Sequence, residues 1–84
     1  MNSRHEKTLQ AIYALPTSRT LEWKDMEALF IAPGATVIEG DGSRVKFMLQ
    51  GRIISFHRPH RPKTVRAYQV ELAREFLQGL GIVP

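Results

Sequence analysis

His57 carries an imidazole, a group suited to moving a proton at neutral pH because it titrates, unperturbed, at about 6.5. It lies in the segment Phe56-His57-Arg58-Pro59-His60-Arg61-Pro62-Lys63. Arg44 brings a permanently charged fork that can grip a phosphate with two hydrogen bonds. A base and a guanidinium are the two parts needed to cleave a ribose phosphodiester without a metal. The base takes the 2′-hydroxyl proton, and the cation steadies the negative charge that builds on the phosphoryl group. Ser43, Lys46 and Ser55 would flank such a pair. The alternative is non-chemical: His57 as an exposed contact to RNA or protein, with Arg44 a phosphate anchor. His60, set between two prolines, would either touch RNA or protonate the leaving group.

Other chemistries find less support. His57 and His60 offer two metal ligands, His5 is remote along the chain, and there is no cysteine, so no zinc site is expected. Gly40-Asp41-Gly42-Ser43 has neither the length nor the following helix of a phosphate-binding loop, which argues against a nucleotide cofactor. Ser43 carries no signature of an activated nucleophile.

Apolar periodicity locates the helices and strands that carry these groups. Leu9, Ile12 and Tyr13 mark a first helix, with Ser3 and Glu6 reading as its capping box. Trp23, Met26, Leu29 and Phe30 mark a second, which Pro33 and Gly34 end. From Thr36, Val37 and Ile38 the period becomes that of a strand, and Gly40, Asp41 and Gly42 turn the chain. Val45, Phe47 and Leu49 alternate with Lys46, Met48 and Gln50, and Ile54 and Phe56 alternate with Ile53, Ser55 and His57. Taking Gln50-Gly51 as a two-residue turn pairs Leu49 with Arg52, Phe47 with Ile54 and Val45 with Phe56. The same register puts Met48 opposite Ile53, Lys46 opposite Ser55 and Arg44 opposite His57 on the other face. Pro59 and Pro62 are expected to keep the next loop extended. A third helix follows over about residues 67–78, with Tyr68, Leu72, Phe76 and Leu80 as its apolar row, widened by Ala73 and Leu77. The expected fold class is α+β: a three-stranded antiparallel sheet packed against helices. One domain is expected over residues 1–84, with residues 1–16 as an additional N-terminal helix and residues 22–84 as an α-β-β-β-α core.

Composition adds a partner class. The formal charge is +4, but residues 42–70 contain no Asp or Glu and hold seven of the 12 basic residues: Arg44, Lys46, Arg52, Arg58, Arg61, Lys63 and Arg66. A field of one sign concentrated on part of a small domain suits a phosphate backbone, and it also suits an acidic protein. Arg58, Arg61, Lys63 and Arg66 read as phosphate contacts in the loop, or otherwise as solvated charges. With no membrane-length apolar run, no secretory leader and no cysteine, a cytoplasmic, reducing location is expected.

Beyond these readings, the chain resembles the HicA toxins of bacterial and archaeal toxin–antitoxin systems, over about residues 23–83. The resemblance rests on the short helix ending at Ala32 to Ala35, the Gly42-Ser43 turn entering an amphipathic strand, the Phe56-His57-Arg58-Pro59-His60 segment, and Tyr68-x-Val70, Arg74-x-Phe76-Leu77 and Gly81-Ile82. It implies a fold similar to the double-stranded-RNA-binding domain. It further implies a toxin that degrades messenger RNA to stop translation, partnered by a HicB-like antitoxin that covers the active surface. In that family a histidine taken to be catalytic usually follows the Gly-Ser turn. Here Arg44 stands in its place, and a guanidinium stays protonated at neutral pH, so that role does not carry over. The resulting expectation leans towards a metal-independent endoribonuclease acting through His57 and Arg44, with a non-catalytic RNA-binding module and a protein-docking element as the alternatives.

Overall fold

The computed structural model describes residues 2–84. Helices α1 (Ser3–Tyr13) and α2 (Trp23–Ile31) precede strands β1 (Thr36–Glu39), β2 (Arg44–Leu49) and β3 (Arg52–His57), and helix α3 (Ala67–Gly79) follows. The strands form one antiparallel sheet in the order β1-β2-β3. The fold is α+β with the expected α-β-β-β-α order after α1. Among the described residues no helix is long and apolar enough to cross a membrane.

The hairpin forms in the expected register at all six positions, from Leu49 opposite Arg52 to Arg44 opposite His57. Its turn works because Gln50 and Gly51 both adopt positive φ, 52° and 78°, as a type I′ turn needs to match the twist of the strands. Val45, Phe47 and Leu49 face inward on β2, as Ile54 and Phe56 do on β3.

An aromatic cluster fills the space between sheet and helices. Phe30 stacks on Phe47 with centroids 5.1 Å apart, and Trp23 meets Phe56 edge-on at 5.6 Å. Helix α1 belongs to this same core, since Leu9 and Ile12 are buried in it. Three polar ties hold the helix there. Arg74 donates from Nε to the Ile12 carbonyl (2.8 Å) and from Nη2 to that of Ala14 (3.2 Å), satisfying the open end of α1. The Tyr13 hydroxyl donates to the Ile82 carbonyl (2.7 Å), and Arg4 pairs with Asp25 at 2.9 Å.

Three local expectations need correction. The cap of α1 is Asn2, not Ser3: the Asn2 side chain accepts from the His5 amide, and Ser3 is the first helical residue. Asn serves as well as Ser at this position, so the signal was displaced by one residue. The buried arc of α3 is Gln69, Val70, Ala73 and Leu77, while Tyr68 and Leu72 of the expected row point outward at 53% and 44% exposure. Helix α3 is apolar around much of its girth, and contact with both α1 and β3 selects the arc lying between them. The third correction is in the loop after β3, which does not stay extended but bends at His60–Pro62. It is closed by a short antiparallel bridge at Glu22 and Thr64, with Trp23 N–H donating to the Lys63 carbonyl and Val65 N–H to that of Leu21. Burial of Leu21 and Val65 anchors the bridge.

Candidate functional site

Alternation along β2 and β3 leaves Arg44, Lys46, Ser55 and His57 exposed on the sheet face away from the helices, at one end of the hairpin. They line a cleft of about 380 Å³. Ser43 stands beside it, with its Oγ 3.5 Å from His57 Nδ1. In the tautomer where Nδ1–H donates to that oxygen, Nε2 carries the free lone pair that a base requires. Five of the expected site residues are thus brought together.

The backbone of His57 is fixed by Gln69, which is not among the site residues expected from the sequence. Gln69, only 3% exposed, accepts from the His57 amide through Oε1 at 2.9 Å and donates through Nε2 to the His57 carbonyl at 3.3 Å. Strand β3 is a sheet edge, and this amide takes the place that a neighbouring strand would occupy. The legible signal was a lone amide four positions before Ala73, on what is the buried arc of α3.

The remaining expected residues separate into two groups. His60, Arg61 and Arg66 line a second cleft of about 460 Å³, formed by the loop and the start of α3 and joined there by Arg19. Lys63 is exposed on the same loop. Tyr68 lines both clefts.

Arg58 does neither. Its guanidinium donates to both oxygens of Glu39, at 2.6 and 2.9 Å, and to Glu27 at 3.2 and 3.4 Å. Glu27 also accepts from Trp23 Nε1 at 2.6 Å. Arg58 therefore ties α2 and β1 to the end of β3 instead of lying open to phosphate, because two carboxylates distant in sequence converge on it. Its hydrogen bonds hold the Glu39 carboxyl below the ordinary carboxylate range, and both acids raise the guanidinium further above its already high value.

The charge pattern differs from the sequence pattern in one respect. Glu39 and Asp41, from the end of β1 and the turn after it, line the first cleft together with Arg44 and Lys46, although both carboxylate oxygens of Glu39 are taken by Arg58. The charged residues lining the loop cleft are Arg19, Arg61 and Arg66, all basic. Among the described residues no cluster of three or more His, Cys, Asp or Glu is placed to hold a metal.

A family model described as the HicA toxin of bacterial toxin–antitoxin matches residues 23–75. Neither the curated proteins nor the solved structures searched include a significant match. The matched residues begin at the first residue of α2, include the whole sheet and the basic loop, and end within α3 at Glu75. They stop short of the expected limit at residue 83 and leave α1 outside. Since the match spans well over half of the 84 residues and the fold has the element order expected of that family, the chain belongs to the HicA toxin family of bacterial toxin–antitoxin systems, and an antitoxin partner is implied.

Proposed function

We propose that this toxin binds messenger RNA in the cytoplasm and cleaves it without a metal, with His57 and Arg44 as the catalytic residues. The observation that carries the reading is the register of the hairpin, which sets an exposed imidazole directly across from an exposed guanidinium. In this reading Nε2 of His57 takes the 2′-hydroxyl proton, and the 2′-oxygen attacks the adjacent phosphorus. The bond from phosphorus to the 5′-oxygen breaks, that oxygen takes a proton from solvent water, and Arg44 neutralises the phosphoryl oxygens during the displacement. Ser43 orients the imidazole through Nδ1. Lys46 and Ser55 hold the flanking backbone, while His60, Arg61, Lys63 and Arg66 hold more distant phosphates. A HicB-like antitoxin inhibits by covering this face.

The test is incubation of the purified protein with messenger RNA in excess chelator. Wild type is expected to cut, and His57→Ala is expected to be slower by about 10²- to 10⁴-fold, the usual contribution of a positioned acid or base. Intact RNA with wild type would overturn the nuclease reading.

One observation favours a second reading, that of a module that binds RNA without cutting it. Among the described residues the His57 ring has a single polar contact, the long one to Ser43, and no carboxylate orients it. Salt-steep RNA binding with no cleavage in the same assay would select this reading.

A further inference from the structure

We infer that Tyr68 is a base-stacking residue that seats one unpaired nucleobase between the two clefts, so that the strand bound is single-stranded RNA. The inference rests on the proposed RNA binding and specifies how that binding discriminates.

Exposure first sets Tyr68 apart. Trp23, Phe30, Phe47 and Phe56 are all buried, and the hydroxyl of the half-buried Tyr13 is taken by the Ile82 carbonyl. Tyr68 is 53% exposed, and its hydroxyl has no hydrogen-bond partner among the described residues. It contributes neither to the aromatic core nor to a polar tie. Its place is the second observation: it lines the sheet cleft with Arg44, Lys46 and His57, and the loop cleft with Arg61 and Arg66. A flat apolar ring with cations on both sides has the form of a stacking platform, on which a base lies against the π-face while the phosphates on either side meet positive charge. Bases within a duplex are stacked on one another and have no free face to offer, so a platform of this kind selects unpaired strands.

The experiment measures binding of oligouridylate by wild type, Tyr68→Ala, Tyr68→Leu and Tyr68→Phe, beside two other probes, every probe being 2′-O-methylated so that the proposed cleavage cannot consume it. These are the duplex of oligouridylate with oligoadenylate, and an abasic ribose-phosphate strand of equal length. Because the ring is exposed, all three variants should melt with wild type. Tyr68→Ala is expected to lose about 5- to 150-fold in affinity for the single strand, the range known for removal of one base–aromatic stack. Tyr68→Leu should lose nearly as much, and Tyr68→Phe should bind as wild type does. On the abasic strand all four proteins should bind alike, and wild type should prefer single strand to duplex. Unchanged affinity in Tyr68→Ala, or equal binding by the Leu and Phe variants, would overturn the stacking role while leaving RNA binding intact. Failure of wild type to bind any of the probes would overturn RNA binding itself, and the stacking role with it.

Discussion

At the scale of single residues, the site depends on how firmly His57 is held. Gln69 satisfies both backbone groups of His57 from a buried position. Gln69→Leu removes those partners and leaves buried polar groups unpaired, which costs about 1–3 kcal/mol. Chemical denaturation should show that loss, and cleavage should fall in the folded fraction as His57 loosens. The neighbouring of Arg44 and His57 was legible in the sequence because a strand alternates with period two and the turn length sets the register. The fate of Arg58 was not. Its partners Glu27 and Glu39 lie 31 and 19 positions away, and nothing local distinguishes an arginine that will find carboxylates from one that will meet phosphate.

At the scale of elements, α1 is part of the core although it lies outside the family match. Ile12 is fully buried, so Ile12→Ala should destabilise by about 2–5 kcal/mol, the usual cost of such a truncation, measurable by urea unfolding. The Arg58 tie between β1, α2 and β3 predicts a pH effect. Glu39 titrates lower in the folded chain than when unfolded, so its stabilising contribution is complete above the ordinary carboxylate range of about 4.3 and is lost as pH falls through the lower folded value. Denaturation midpoints followed from neutral to acid pH should fall more steeply for wild type than for Glu39→Gln. Helices and strands were readable from apolar spacing, whereas the phase of α3 was not. Tyr68-Leu72 and Val70-Ala73-Leu77 both satisfy helical spacing, and only packing against α1 and β3 decides which arc is buried.

At the scale of the whole molecule, the fold partly rearranges the charge seen along the chain. It brings Glu39 and Asp41 to the lining of the sheet cleft, whereas the charged residues lining the loop cleft are all basic, with Arg19 joining from outside the basic stretch. RNA affinity should therefore depend on the loop more than on the sheet. Arg61→Ala and Arg66→Ala should each weaken binding about equally for all RNA sequences, and each should lower the slope of log affinity against log salt by about one. The proposed cleavage requires that His57 activate a 2′-hydroxyl, without a metal, across from Arg44. Mass spectrometry of the RNA fragments made in chelator reads that requirement from the ends produced. Wild type should leave 2′,3′-cyclic phosphate and 5′-hydroxyl ends, His57→Ala should leave the same ends about 10²- to 10⁴-fold more slowly, and neither should cut where the nucleotide at the cleavage position is 2′-deoxy. Fragments carrying 5′-phosphate, or undiminished cutting at a 2′-deoxy position, would contradict that requirement.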